Sequence, residues 1–355
     1  MTSTAPVSRV ARLRRPLALV LACALGLLAA RCGEHQPVLA VYVWTGYVPT
    51  EVYERFEAET GARVIEMNFA SNEELRAKLV AGAEGYDVVC PTDYMVRLLV
   101  RDGLLLPLDQ ALLPGLDAIA PRFRDPPYDP GHAHSVPFAW GVSGIAYDRD
   151  VVTERPSSWS DLLDPERHAA HAGRISMLND PRELVSAALL ALGHDPNATD
   201  PAALTAAGDL LLRQKPSVAK YDSDTFGESL VAGEIVMAHA WSGTIAGAQA
   251  ERPSLAFTVP SEGALMYVDN WAVPRATRQP ELAQRFVAFC LRPEIAALIA
   301  ENTGYASCNA AAVARLPMPS RVAYSDGGGA PLRFLADAGD GATAIEDIWK
   351  RLKAE

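Results

Sequence analysis

Val38-Leu39-Ala40-Val41-Tyr42-Val43-Trp44-Thr45-Gly46-Tyr47 decides how this chain is read. The apolar run Val38–Val43 predicts a short strand. Trp44 and Tyr47 bracket Thr45-Gly46 where it ends, and a helix follows over 50–60, with Val52, Tyr53 and Phe56 on one face and Gly61 as its stop. A strand end that turns into a helix start carries side chains that are free to face a cleft. The unit then repeats. Strand 62–67 leads to helix 71–82, opened by Ser71 and Asn72 with Glu74 as a capping-box partner. Strand 86–90, helix 94–102 and Gly103 close the series. Alternation of this kind predicts an α/β class, a mainly parallel sheet and right-handed crossovers.

Beyond it, residues 107–137 are rich in Pro and Asp, and strands are expected at 135–138 and 144–147. A second α/β set follows: helix 158–164, strand 174–178, helices 181–192 and 201–213, strand 217–221, helix 225–232 and strand 235–239. Strands 255–259 and 265–273 lead to helices 280–291 and 293–303. The tail 318–342 reads as loop and 344–353 as a closing helix. Crossings near 140–147 and 268–274 divide the chain into two expected lobes, 38–143 with 270–318 and 144–269 with 319–355.

At 355 residues, with 49% apolar and 7% aromatic content, the chain suits two globular domains. The net charge is −11, and the first 31 residues contribute five Arg and no acid, so the remainder stands at −16 (−11 less 5). An acidic body argues against nucleic acid and favours cationic ligands, or serves solubility alone. Residues 1–31 read as a signal peptide, with Arg12, Arg14 and Arg15 before the apolar run Leu17–Ala30. Cys32 follows Leu28-Ala29-Ala30-Arg31, close to a lipoprotein acceptor site, although Arg31 stands where a small residue is usual. Cys23 is the alternative acceptor. An extracytoplasmic location follows, with or without a lipid anchor at Cys32. Cys90 reads as a core residue, and Cys290 and Cys308 as a candidate disulfide.

Catalytic motifs are missing. No Gly-x-Ser-x-Gly, phosphate loop or dinucleotide fingerprint occurs, and His132-x-His134 has no second ligand cluster. Cys90 as a nucleophile would need a base that its flanks do not single out. No cofactor, metal or catalytic residue is assigned.

Aromatics sit at several predicted strand ends: Trp44, Tyr47, Tyr94, Trp241 and Tyr267, with Tyr305 after Gly304. Each reads either as core or as a cleft-facing ring. Asp180 and Glu183 flank Pro181 at a helix start, where a cap and a dipole partner are the plain alternative. Asp269 lies inside a predicted buried strand, where a carboxylate is costly without a partner. Ring faces and carboxylates together suit an organic polycation.

With these residues go Val43-Trp44-Thr45-Gly46-Tyr47-Val48-Pro49, Ser71-Asn72-Glu73, Tyr86-Asp87-Val88-Val89, Pro137-Phe138-Ala139-Trp140-Gly141, Asp180-Pro181-Arg182-Glu183 and Gly304-Tyr305. In their order and spacing the chain resembles the bacterial spermidine/putrescine-binding receptors of ABC importers, over nearly its whole mature length. The resemblance implies a two-lobed periplasmic-binding-protein fold, type II-like, with a linear polyamine in the cleft. It implies a monomer that delivers its ligand to a membrane permease. It places Trp44, Tyr47, Tyr94, Trp241, Tyr267 and Tyr305 in an aromatic box, with Thr45 and Thr92 beside them, and Asp180, Glu183 and Asp269 on the amino groups. Gly46, Tyr267 and the stretch near Leu335 depart from the family pattern. Three carboxylates, and a neutral Thr244 where putrescine-type relatives tend to carry Asp, favour spermidine over putrescine. A receptor for another cation such as thiamine, a polyamine sensor, and a Cys90 enzyme on the same fold are the other readings.

Overall fold

The computed structural model describes residues 1–2, 36–316 and 329–354. The signal peptide expected over 1–31, apart from its first two residues, and the candidate lipid acceptors Cys23 and Cys32 lie outside the described residues.

β1 (Val38–Trp44), α1 (Thr50–Thr60), β2 (Arg63–Phe69), α2 (Asn72–Val80), β3 (Val88–Val89) and α3 (Asp93–Arg101) form the expected series. β1 pairs in parallel with β2 on one side and β3 on the other. Ser71 caps α2 by accepting from Glu74 N at 3.1 Å, while the Glu74 carboxylate returns to Ala70 N at 3.0 Å. Two otherwise unpaired helix-start donors are thus satisfied by local side chains.

The chain continues through β4 (Ser135–Asp148), α4 (Ser160–Leu163), β5 (Ile175–Met177), α5 (Pro181–Ala191), α6 (Pro201–Gln214), β6 (Val218–Tyr221) and α7 (Phe226–Ala232). Then come β7 (Met237–Trp241), α8 (Ser242–Glu251), β8 (Leu255–Thr258), β9 (Ala264–Ala272), α9 (Pro280–Cys290) and α10 (Pro293–Thr303). β10 (Ala306–Ser307), α11 (Ala310–Val313), β11 (Leu332–Phe334) and α12 (Ala342–Lys353) complete it. The strand order is β2-β1-β3-β9-β4-β7-β5-β6, with β8 and β10 also on β4 and β11 on β9.

Three expectations need correction. The strands predicted at 135–138 and 144–147 are one 14-residue strand, β4. Its glycines are not breaks; they admit neighbours. A Cβ on Gly141 would lie 2.1 Å from the Tyr267 hydroxyl, and one on Gly144 would lie 2.5 Å from the Thr258 carbonyl oxygen. The tail expected as loop contains β11, which pairs in parallel with Ala264–Met266. Cys290 and Cys308 are buried free thiols, so the candidate disulfide is not formed; both pack in the same apolar core as Cys90.

β4 joins two halves of the sheet. Its residues from Ser135 to Val142 pair with β9, and those from Ser143 onward pair with β7 and β8. The cores divide accordingly. Val41, Phe56, Leu99, Trp271 and Phe286 pack in one cluster. Trp159, Met177, Leu184, Leu211 and Ile348 pack in another, with Phe226, Leu230 and Ile245 in a third beside it.

Candidate functional site

Most of the aromatic and acidic residues singled out in the sequence gather in three linked groups. The first is built on β9. Asp269 is 2% exposed. Its Oδ1 accepts from the Thr92 hydroxyl and its Oδ2 from the Tyr47 hydroxyl, each at 2.8 Å. Asn72 fixes Thr92 in turn: its side-chain amide donates to Thr92 Oγ1 at 3.0 Å, and Thr92 N donates to Asn72 Oδ1 at 3.1 Å. The Tyr47 ring lies 4.6 Å from Tyr305 and 6.4 Å from Trp44. Burial pushes the Asp269 carboxyl up to about 6, against the pull of the Tyr47 and Thr92 hydroxyls.

The second group surrounds Glu183 in the first turn of α5. Its Oε1 accepts from the Ser143 hydroxyl at 2.9 Å and from the Trp241 indole N–H at 3.1 Å. Its Oε2 faces His239 Nε2 at 3.5 Å without forming a hydrogen bond, a contact that is ionic only when the imidazole is protonated. Burial disfavours its charge, but the His239 imidazole, Trp241 and Ser143 outweigh burial and hold the carboxyl below its ordinary range. Trp241 stands edge-on to Tyr267 at 6.4 Å.

The third group joins Asp180 and Tyr94. Asp180 is the N-cap of α5: its Oδ1 accepts from Arg182 N at 2.8 Å and Glu183 N at 3.1 Å, with Pro181 at the first helical position. Burial, then the charge of Glu183, push Asp180 up to about 6 despite those two donors, and Glu73 adds to the effect. The Tyr94 hydroxyl donates to Glu73 Oε1 at 2.9 Å, and its own pKa is raised by burial, Glu73 and Asp180.

Among the described residues, no lysine, arginine or histidine forms an ion pair with Asp180, Asp269 or Glu73, and none figures among the causes of the Asp180 and Asp269 shifts. The Trp44 indole N–H and the Tyr267 hydroxyl are buried without hydrogen-bond partners. Tyr305 reaches across to α8, where a Cβ on Gly243 would lie 2.3 Å from its ring. Thr45 is exposed and stands outside these contacts. A cavity of about 430 Å³ lined by Val38, Ile65, Met67, Asp87 and Arg278 opens elsewhere on β1 and β2. None of its lining residues belongs to the aromatic–acid groups, and it carries the exposed Glu84–Arg278 ion pair.

Residue-by-residue reading did not single out Asn72, Glu73, Ser143 or His239 as site members. His239 had a signal: it lies two residues before Trp241 on β7, hence on the same face of the strand. Asp93 is another buried acid. It accepts from Val268 N at 2.8 Å, and burial raises it to about 8.

Residues 51–324 match the family of bacterial extracellular solute-binding proteins. The chain belongs to that family. Among relatives of this solute-binding protein, the spermidine/putrescine-binding periplasmic protein 1 of Haemophilus influenzae is 35% identical over 280 residues, covering 78% of this chain and 77% of the relative. The putrescine/cadaverine-binding protein of Pseudomonas aeruginosa is 35% identical over 284 residues, covering 78% and 80%. The solved spermidine/putrescine ABC transporter substrate-binding protein PotD of Streptococcus pneumoniae superposes with a TM-score of 0.79 at 28% identity, covering 90% of this chain and 99% of that one. The fold is thus the two-lobed α/β periplasmic-binding-protein fold expected from the sequence. No helix among the described residues is long and apolar enough to cross a membrane.

Proposed function

We propose that this solute-binding protein captures polyamines outside the cytoplasm, spermidine in preference to putrescine, and delivers them to an ABC permease. One observation carries the reading: Asp269 and Asp180 are carboxylates in a ring-lined site where no cation among the described residues pairs with them. An organic polyammonium supplies the missing charge and presents CH₂ and NH₃⁺ groups to the faces of Trp44, Tyr47, Trp241, Tyr267 and Tyr305. The names of the relatives support the ligand class. We assign the described residues of 38–143 and 270–318 to one lobe and those of 144–269 and 319–355 to the other, a division supported by the two main cores.

Each cation–ring contact contributes about 0.5–2 kcal/mol. Losing one partner of a desolvated charge pair costs about 2–5 kcal/mol. Acids therefore set the affinity and rings the register. Spermidine matches Asp180, Glu183 and Asp269 one ammonium to one carboxylate, whereas a diamine leaves one acid unmatched. Cys90 is fully buried and burial raises its thiol, which disfavours the thiolate a nucleophile requires.

Ligands that bind the native state raise its melting temperature. A panel of spermidine, putrescine, spermine, thiamine and lysine tests the reading. We expect shifts with the polyamines, largest for spermidine at equal concentration. A shift with thiamine and none with any polyamine would sink it.

A further inference from the structure

We infer that His239 is an internal counter-cation for Glu183 and sets how many carboxylates the site presents to a ligand. The inference rests on the polyamine reading above. His239 is fully buried, and neither ring nitrogen has a hydrogen-bond partner. Buried polar atoms are rarely left this way. Nε2 lies 3.5 Å from Glu183 Oε2, an oxygen that likewise lacks a hydrogen bond. The other carboxylate oxygen is taken by Ser143 and Trp241, both neutral donors. Trp159 stands edge-on to the imidazole at 5.0 Å and walls it off.

Among the described residues, Glu183 is the acid that lies within ion-pair distance of the ring. On β4 the titratable residues are Tyr147 and Asp148, and Asp148 is paired with Arg252. On α4, Asp161 is paired with Arg167. Glu228 on α7 and Glu251 on α8 are exposed, and β5 carries no titratable residue. On α5, Asp180 is engaged by the helix-start amides and Arg182 by the Ala336 carbonyl; Tyr267 on β9 stands against Trp241, and Glu262 is held by Ser158 and Trp159 N, leaving Glu183 as the acid in contact.

Two protonation states then give two sites. As an imidazolium, His239 matches Glu183 from within, and Asp180 and Asp269 remain for a ligand, which suits a diamine. As a neutral imidazole it leaves Glu183 with neutral donors only, and a third ammonium is favoured, which suits a triamine. Imidazole is the side chain that changes charge near neutral pH. The preference for triamine over diamine therefore grows as the pH rises.

Titration calorimetry at fixed salt, with spermidine and putrescine, on wild type and His239→Gln, measures this between about pH 5.5 and about pH 8. In wild type the spermidine-to-putrescine affinity ratio should rise on the order of tenfold; in His239→Gln it should stay flat. Titration of Asp180 and Asp269 acts in both proteins and does not produce that difference. A second measurement needs no ligand and no His239 variant: NMR of the imidazole in the empty protein, whose titration midpoint should fall on Glu183→Gln. A flat ratio in wild type, the same slope in the variant, or a midpoint indifferent to Glu183→Gln overturns the role of His239 while polyamine binding stands. Failure of both polyamines to bind at any pH would overturn the reading of the site, and this inference with it.

Discussion

Asp269→Asn should make the empty protein more stable and the ligand-binding protein nearly useless. The carboxyl is raised from its ordinary 3.8 to about 6, chiefly by burial. That difference corresponds to about 3 kcal/mol against the charged form in the folded state. The sign follows from the direction of the shift. A carboxyl raised on folding costs nothing below its unfolded pKa, so the penalty is absent near pH 3, grows between about pH 4 and about pH 6, and is complete by about pH 7.5. Asparagine cannot ionise, and the hydroxyls of Tyr47 and Thr92 still find an amide oxygen or donate elsewhere. Allowing about 1 kcal/mol for the new amide N–H, the variant should gain roughly 2 kcal/mol at about pH 7.5 and lose roughly 1 kcal/mol at about pH 3, where the ionisation penalty is absent. Binding moves the other way. Loss of a desolvated charge partner costs about 2–5 kcal/mol, a rise in Kd of roughly thirty-fold to several thousand-fold for spermidine. Urea denaturation at both pH values and titration calorimetry give the two numbers. A variant less stable than wild type at about pH 7.5, or one that binds spermidine normally, would refute the reasoning.

Asp180→Asn should lose less affinity than Asp269→Asn in the same titration, because Asp180 is half-buried and its cap on Arg182 N and Glu183 N is one that asparagine also fills; equal losses would count against this placement. Spermidine affinity should fall as the pH drops through about 6, where Asp180 and Asp269 take up protons and stop matching ammonium groups. Equilibrium titrations across that window check it, and a pH-independent affinity would contradict the assignment of those two acids.

Much of the fold was legible because its signals are local. Ser71 with Glu74, and Asp180 with Pro181, announce helix starts, and the structure caps both helices as the residues suggest. Gly61 ends α1 in the left-handed region at φ 70°, as a helix-stopping glycine should. Signals failed where a residue answers to something distant. Gly141 falls in the gap expected between two strands, yet it continues β4 and leaves room for the Tyr267 hydroxyl, as Gly144 does for Phe257 and Thr258. Helix α8, Ser242–Glu251, went unassigned because Gly243 and Gly247 weaken its pattern, yet Gly243 is there to receive the ring of Tyr305. At the site, the buried position of Asp269 followed from the strand around it. The contact between His239 and Glu183 did not, since it joins a strand to a helix 56 positions away and only folding brings them together.

Equilibrium dialysis of labelled spermidine against the purified protein at about pH 7.5 tests the central claim most directly. An acid-lined site with its own aromatic faces, and no cation among the described residues on Asp180 or Asp269, predicts saturable retention approaching one equivalent, displaced by unlabelled spermidine at lower concentration than by putrescine. Spermidine distributed evenly across the membrane at every protein concentration, with thiamine retained in its place, would contradict it.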